Sequence, residues 1–209
     1  MSDPLVEIPP KAKAGFVVAH GAGAGMRHPF LAAVAKGLAD RSIATLRYEF
    51  PYMEAGSKRP DSPAIAAAAV RSAVHEAGVR MPGLPLFAGG KSFGARMTSQ
   101  AQAAEPLPGV KGLIFLGFPL HAPGKPSAER GAHLEQVQVP MLFLQGSRDE
   151  LAHLDLLRPV TAKLGDRATL RVFDDADHSF LVPAKSGRKS SEVMNELLDE
   201  IAVWVRARL

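Results

Sequence analysis

The 209-residue chain has no cysteine, so it can form no disulfide, and nothing in its composition points to an oxidising compartment. It also lacks a long hydrophobic run, since the longest, around residues 113–120, is too short to span a bilayer. The first residues include Asp3 and Glu7 and have no apolar stretch, unlike a secretory signal. These features predict a cytoplasmic protein that has no membrane partner.

A strong charge of either sign is missing as well, since the formal net charge is only +4. The basic residues are scattered, and the short basic stretches at 56–59 and 187–189 carry no interleaved aromatic side chains, so we expect no nucleic-acid partner. Asp174, Asp175 and Asp177 lack the spacing and the glycine of a calcium-binding loop. No metal ion and no organic cofactor are expected.

The chain instead contains short apolar runs that alternate with helical segments from end to end. This pattern predicts one α/β domain over residues 1–209, with a mostly parallel sheet of about six to seven strands and helices on both faces. The predicted strands are 15–19, 43–46, 84–88, 112–116, 141–144 and 170–173, with 5–8 as a short edge at most. The main predicted helices are 29–40, 63–78, 95–104 and one that begins near 191.

Two longer segments interrupt this alternation, and both follow predicted strands. Residues 47–61 contain several aromatic and charged side chains, and residues 117–133 are restrained by prolines. Because open α/β sheets bind ligands beyond the carboxyl ends of their strands, both loops are predicted to line a site. The interval between residues 116 and 141 is too short for a separate lid domain. The predicted substrate-binding residues are Arg47, Glu49, Lys91, Phe118 and His121.

The most informative motif is Gly90-Lys91-Ser92-Phe93-Gly94, which follows the apolar run 84–88 and precedes the helical segment 95–104. A Gly-x-Ser-x-Gly motif at a strand-to-helix turn is typical of a nucleophile elbow. Glycine permits the sharp turn, and the serine hydroxyl is then exposed at the positive end of a helix. Ser92 is therefore the candidate nucleophile.

Two other interpretations of this motif are weaker. A phosphate-binding loop that ends in Gly90-Lys91-Ser92 would need glycine at position 85, which is Pro85. It would also need a flexible cradle where residues 86–89 are mostly apolar and strand-like. The alternative is a tight glycine turn in which Ser92 only caps the helix.

A serine nucleophile needs a neighbouring base, and the base needs an acid that fixes its tautomer. Asp149 follows the apolar run 141–144, and His178 follows the last predicted strand, so the chain order is serine, acid, histidine. The predicted catalytic residues are therefore Ser92, Asp149 and His178. Glu150, the next residue along the chain, remains open as the acid.

Backbone N–H groups are expected to form an oxyanion hole beside Ser92. One donor would be Phe93, directly after the nucleophile, and the other would lie in the glycine-rich segment 20–25. In that segment Ala22 is the preferred donor and Gly23 is the alternative. The glycines at 21, 23 and 25 do not follow the Gly-x-Gly-x-x-Gly spacing of a dinucleotide-binding loop.

Several segments carry a likeness to a known superfamily, and they are His20-Gly21-Ala22-Gly23, Arg47-Tyr48-Glu49-Phe50-Pro51-Tyr52, Gly90-Lys91-Ser92-Phe93-Gly94-Ala95-Arg96, Gly117-Phe118-Pro119-Leu120-His121 and Gln145-Gly146-Ser147-Arg148-Asp149. Over nearly its whole length the chain resembles the α/β-hydrolases, and it looks closest to their small dienelactone-hydrolase-like branch. Within that branch it is similar to the group of testis-expressed protein thirty and non-specific-lethal complex subunit three.

The resemblance implies an α/β-hydrolase fold and ester or thioester chemistry. Dienelactone hydrolases proper use a cysteine nucleophile, which this chain lacks, so their substrate is not carried over. The predicted function is a serine hydrolase that cleaves a small ester or thioester through an acyl-enzyme on Ser92. Two alternatives stay open: an idle hydrolase fold that acts as a binding or scaffold module, and an acyltransferase with the same triad. The sequence does not fix the oligomeric state.

Overall fold

The computed structural model describes residues 2–57 and 59–209, and in this part of the chain seven strands form a single sheet. The strands are β1 (Leu5–Glu7), β2 (Ala14–Ala19), β3 (Ile43–Tyr48), β4 (Leu86–Lys91), β5 (Val110–Leu116), β6 (Met141–Gly146) and β7 (Ala168–Phe173). Their order across the sheet is β1-β3-β2-β4-β5-β6-β7. Neighbouring strands are parallel throughout, except that β1 pairs antiparallel with β3.

Helices cover both faces of this sheet. The α-helices of the described ranges are α1 (Pro29–Ala39), α2 (Pro51–Glu54), α3 (Pro63–Arg80), α4 (Phe93–Ala104), α5 (Leu154–Lys163) and α6 (Ser190–Arg206). Short 3₁₀ helices lie at Glu129–Gln136, Gly165–Arg167 and Ala184–Ser186. The buried side chains of α1 and α6 share one hydrophobic cluster, and those of α3 and α4 belong to a second cluster on the opposite face.

Strand β2 shows how the sequence builds these two layers. Phe16 and Val18 pack with the α1 and α6 cluster, whereas Val17 and Ala19 pack with the α3 and α4 cluster. All four side chains are almost completely buried. A strand of a parallel sheet is covered on both faces, so it appears in the sequence as a continuous apolar run rather than as an alternating one.

The predicted fold class is confirmed: the sheet is mostly parallel, helices lie on both faces, and residues 117–140 form no separate lid domain. Helix α3 begins as the sequence predicts, because Ser62 Oγ accepts a hydrogen bond from the N–H of Ile65 and Pro63 occupies the first turn. The short edge strand also occurs, as β1.

Three elements differ from the prediction. Strand β3 continues to Tyr48 and helix α2 follows it, so the predicted loop 47–61 is partly regular structure. The 3₁₀ helix Glu129–Gln136 begins within the other predicted loop. Helix α5 has no counterpart in the prediction, and it contains Pro159, a residue that normally signals a break in a helix.

The parallel strands place their carboxyl ends along one edge of the sheet. The turns and loops that follow β2, β4, β5, β6 and β7 therefore meet there, and they carry the residues of the candidate site. No helix within residues 2–57 and 59–209 is both long and apolar enough to cross a membrane.

Candidate active site

Ser92 lies in a strained turn between strand β4 and helix α4. Its φ is 52° and its ψ is −114°, a conformation that residues other than glycine adopt rarely. Such backbone strain costs about 1–3 kcal/mol and persists where the surrounding structure enforces it. A Cβ at either Gly90 or Gly94 would collide with the backbone of Ala19, so both glycines let the turn pack tightly against β2.

Asp149 and His178 are in direct contact. His178 Nδ1 lies 2.6 Å from Asp149 Oδ2, and the side chain of Asp149 is fully buried. Because the carboxylate can only accept, His178 donates from Nδ1 and its Nε2 is left as the acceptor. Nε2 is buried and has no hydrogen-bond partner among the described residues. The imidazole is therefore held in the tautomer that a general base requires.

The loops that carry the acid and the histidine are joined through their backbones. The N–H of Ser147 donates to Phe173 O at 3.0 Å, and the N–H of Arg148 donates to Ala176 O at 2.9 Å. A Cβ at Gly146 would collide with Ala176 O, so only glycine permits this close approach. These contacts fix the relative position of the two loops before any substrate binds.

Gln145 holds the acid and was not identified from the sequence. Its Nε2 donates to Asp149 Oδ2, and its Oε1 accepts the N–H of Phe118 at 3.0 Å. The N–H of Leu151 donates to the other carboxylate oxygen of Asp149 at 2.8 Å. The sequence does hold a signal for this role. Gln145 is a polar residue directly after the apolar run 141–144, and a polar side chain that is buried there needs hydrogen-bond partners.

The segment after β2 carries the predicted oxyanion donors. Within the described ranges the N–H groups of Ala22 and Phe93 have no acceptor, whereas the N–H of Gly23 donates to Tyr52 Oη at 2.9 Å. The alternative donor Gly23 is therefore already occupied. The N–H of Met26 donates to the carboxylate of Glu49 at 3.2 and 3.3 Å, which fixes the far end of the segment.

His20 supports the same segment from below the surface. It is completely buried, its Nδ1 lies 2.8 Å from Gly21 O, and its Nε2 accepts the N–H of Phe50 at 3.0 Å. Burial lowers the pKa of His20, while the carboxylate of Glu49, 3.0 Å from Nε2, acts in the opposite direction. It therefore acts as a structural link between the segments that follow β2 and β3.

A cleft of about 660 Å³ contains both Ser92 and His178. Most of its remaining wall is apolar, and the side chains concerned are Ala22, Ala24, Phe30, Leu31, Leu151 and Leu181. Leu181 is 56% exposed, so the cleft opens to solvent on that side. The candidate nucleophile, the candidate base and a predicted oxyanion donor thus border one accessible and largely apolar space.

Of the predicted substrate-binding residues, only Lys91 lines this cleft. Arg47 is turned toward the segment after β2, where its Nη1 donates to Met26 O at 3.3 Å. Glu49 accepts the N–H of Met26, as described above. Both side chains hold the backbone of the segment after β2, and neither lines this cleft, so their role as substrate contacts stays a prediction.

Phe118 and His121 are also internal rather than part of the cleft wall. Phe118 is completely buried, and its ring packs against Phe143. His121 is 1% exposed, and its Nε2 accepts the N–H of His153 at 3.2 Å. Both residues follow β5 as expected, but their side chains point into the protein: Phe118 packs in the core, and His121 joins the loop that carries His153.

A second serine–histidine contact lies on helix α4. Ser99 Oγ is 2.8 Å from His133 Nε2, but Ser99 is completely buried, and His133 forms no ion pair with any carboxylate of the described residues. Burial, and then the charge of Arg96, lower the pKa of His133 to about 4. This pair has neither access to a substrate nor an acid behind the imidazole.

No group of three or more histidine, aspartate or glutamate side chains in the described ranges could hold a metal ion. The candidate chemistry rests on the side chains of Ser92, Asp149 and His178 and on backbone N–H groups. Their order along the chain and their place at the carboxyl edge of the sheet match those of a hydrolase triad.

Comparison with known proteins supports the same fold. A dienelactone hydrolase from Anabaena variabilis superposes with a TM-score of 0.78 at 20% identity, covering 98% of this chain and 90% of that chain. A serine hydrolase homologue from Coxiella burnetii gives 0.75 at 19% identity, covering 94% and 90%. An α/β serine hydrolase without a lid from Xanthomonas campestris gives 0.72 at 21% identity, covering 95% and 87%. Residues 12–206 match the family described as alpha/beta hydrolase domain, and the chain belongs to that family.

Proposed function

We propose that the protein is a serine hydrolase that cleaves small carboxylic esters or thioesters with Ser92 as nucleophile, His178 as base and Asp149 as the orienting acid. The observation that carries this proposal is the 2.6 Å contact between His178 Nδ1 and Asp149 Oδ2, which leaves a free Nε2 in the cleft that also holds Ser92. An imidazole fixed in this way can accept the serine proton.

In the acylation step, His178 Nε2 takes the proton of Ser92 Oγ while Oγ attacks the substrate carbonyl. The carbonyl oxygen becomes negatively charged and is stabilised by the N–H groups of Ala22 and Phe93. His178 then returns the proton to the leaving alcohol or thiol. The products of this step are the free leaving group and an acyl ester on Ser92.

In the deacylation step, His178 removes a proton from a water molecule, which attacks the acyl ester. The acid is released, and the proton returns to Ser92 Oγ. Tyr52 contributes indirectly, because it occupies the N–H of Gly23 and so restrains the segment that presents Ala22.

The wall of the cleft indicates which acyl groups fit. Alanine, leucine and phenylalanine side chains surround Ser92, and the volume of about 660 Å³ suits a ligand of modest size. The open side at Leu181 and the absence of a lid domain in residues 117–140 leave little surface to enclose a long chain. We therefore expect short to medium apolar acyl groups to be preferred.

The same proposal includes a closer kinship with the group of testis-expressed protein thirty and non-specific-lethal complex subunit three. The segment 47–52 supports it, because Glu49 and Tyr52 both hold the segment after β2. A shared string of this kind would then reflect a shared way of supporting the oxyanion hole.

Intact-mass labelling with a small fluorophosphonate tests the function directly. We expect a single adduct on the wild-type protein and none on Ser92→Ala or His178→Ala, because phosphonylation needs an activated serine. The matched control is Ser99→Ala, which removes the other serine that contacts a histidine and should still be labelled.

Hydrolysis of p-nitrophenyl acetate, butyrate and octanoate by the same variants then reports the acyl preference. A folded wild-type protein that gives no adduct and no hydrolysis would refute the proposal and favour a binding module. Labelling that survives in Ser92→Ala but disappears in Ser99→Ala would show that Ser99, and not Ser92, is the reactive serine.

A further inference from the structure

One buried charged group beside the candidate triad has no role in the steps above. The amino group of Lys91 is inaccessible to solvent and has no hydrogen-bond partner in the described part of the chain. Burial lowers the pKa of Lys91 to about 8, while the charges of Asp149 and Asp177 act in the opposite direction. At neutral pH most of this group is still protonated, so a positive charge is buried in the wall of the cleft.

The position of Gly117 shows how close this charge is to the base. A Cβ at residue 117 would lie 3.0 Å from Lys91 Nζ and 3.3 Å from both Cε1 and Nδ1 of His178. The amino group and the imidazole therefore border the same small space, which glycine leaves open. Gly117 has a φ of 73°, a conformation that also favours glycine at this position.

The nearby carboxylates are already engaged with other donors. Both oxygens of Asp149 accept hydrogen bonds, as described above. Asp177 Oδ1 accepts the N–H groups of Ser179 at 2.7 Å and Leu181 at 2.9 Å. The amino group of Lys91 contacts neither carboxylate, so its effect on the site is electrostatic and acts through space.

The sign of this effect follows from the charges around His178. Asp149 favours the protonated imidazole, because an opposite charge in contact stabilises the ionised form. A protonated His178 cannot accept the proton of Ser92. A positive charge close to the ring acts in the opposite direction and favours the neutral imidazole.

We propose that Lys91 is a positioning residue of the base: its ammonium offsets the buried charge of Asp149 and keeps His178 in the neutral form that can accept the Ser92 proton. This inference rests on the proposed function. The other titratable groups near His178 are Asp149 on the loop after β6, Asp177 on its own loop and His28 at the start of α1. The two carboxylates favour the protonated ring.

The test measures the protonation of His178 directly. The ring Cε1–H signals are followed by NMR from pH 4 to 9 in the wild type, Lys91→Met and Lys91→Arg, with His178→Gln to assign the signal. Lys91→Met should raise the titration midpoint of His178 by about one pH unit, as expected for loss of a unit charge several ångströms away. Lys91→Arg keeps the charge and should restore a midpoint close to that of the wild type.

The matched control is Lys111→Met, which removes the same charge from an exposed position at the other end of β5. It should leave the His178 midpoint where it is. If Lys91→Met is poorly folded, Lys91→Gln provides the same neutralisation with a polar side chain. An unchanged His178 midpoint in a folded, neutral Lys91 variant overturns the inference.

Catalysis supplies a second and separate readout. If the protein hydrolyses p-nitrophenyl acetate, the acidic limb of the kcat/KM profile should move to higher pH in Lys91→Met by the same amount as the NMR midpoint. Loss of activity only toward esters with a carboxylate in the acyl group, with no change in the midpoint, would show that Lys91 binds substrate and would overturn the inference. If no ester is hydrolysed, the proposed function fails while the NMR titration still decides the role of Lys91.

Discussion

Ser92 stands directly before helix α4 and Ser99 lies within that helix, about two turns further on, and each has a histidine near it. Ser99 has a close contact, 2.8 Å from its oxygen to His133 Nε2, yet it is completely buried. Ser92 instead lines an open cleft together with His178. A serine–histidine contact alone is therefore a poor guide to which serine can act.

The surroundings of the two histidines explain the difference. His178 has Asp149 behind it, which fixes its tautomer and favours the imidazolium that forms when it takes a proton. Burial of His133, and then the positive charge of Arg96, lower its pKa to about 4. A base this weak provides little driving force for removing a serine proton at neutral pH.

The largest expected effect is the loss of activity in Ser92→Ala, measured against Ser99→Ala. Ser92→Ala should lower kcat/KM for p-nitrophenyl acetate by about 10⁴-fold or more, because the covalent route is lost. Ser99→Ala should leave kcat/KM close to that of the wild type and cost about 1 kcal/mol of folding stability, since a buried hydrogen bond is lost. Equal losses of activity in the two folded variants would remove the distinction between the pairs.

Among the described residues, the Ser99–His133 pair has no acid behind its imidazole. Removal of Asp149 should therefore make the Ser92–His178 pair resemble it. Asp149→Asn should lower kcat by about 10³–10⁴-fold, because asparagine no longer favours the correct tautomer or the imidazolium. The sequence left Glu150 open as the acid, and Glu150→Gln is the matched control at an exposed position. A greater loss of kcat in Glu150→Gln would assign the acid to that residue instead.

The segment after β2, which carries Ala22, borders the cleft of Ser92 and His178 and is a further difference from the Ser99–His133 pair. Tyr52→Phe removes the acceptor of the Gly23 N–H and should loosen the segment that presents Ala22. We expect kcat to fall about tenfold with little change in KM, because the oxyanion exists only in the transition state. Tyr48→Phe, at the only other tyrosine, is the control and should leave kcat unchanged. A Tyr52→Phe protein with wild-type kcat would show that the segment needs no such support.

The sequence was sufficient for the fold because strands buried on both faces are continuous apolar runs, and these lie between helical segments with recognisable caps. Ser62 and Pro63 mark the start of α3 in this way. Ser92 could be singled out because its motif stands at a strand-to-helix junction, and Asp149 and His178 because each follows a strand. Whether a residue follows a strand depends only on the order of residues along the chain, so it can be inferred from the sequence.

The direction of a side chain cannot be inferred in the same way. Arg47, Glu49, Phe118 and His121 lie on segments near the site, but the cleft lining does not include them. The side chains of Arg47, Glu49 and His121 hold other loops, and the ring of Phe118 packs in the core. The apolar wall was missed for the converse reason, since Leu31 and Leu151 look like ordinary core residues in the sequence. Gln145 shows the same limit, because its two contacts join residues that only the folded sheet brings together.

The smallest expected effect concerns the stability that His133 contributes as a neutral residue. Its pKa of about 4 in the folded protein is below its ordinary value of 6.5, so the unfolded chain binds more protons between these two values. Stability should therefore fall as the pH is lowered from 6.5 to 4, by about 1–2 kcal/mol once partial exposure of the ring is taken into account. The measurement is the free energy of urea unfolding at pH 7.0 and pH 4.5 in the wild type, His133→Gln and the exposed control His75→Gln. His133→Gln should lose this part of the pH dependence, and His75→Gln should keep it. The same dependence of the unfolding free energy on pH in all three proteins would show that His133 protonates as freely as an exposed histidine. One of the two contrasts between His133 and His178 would then be gone.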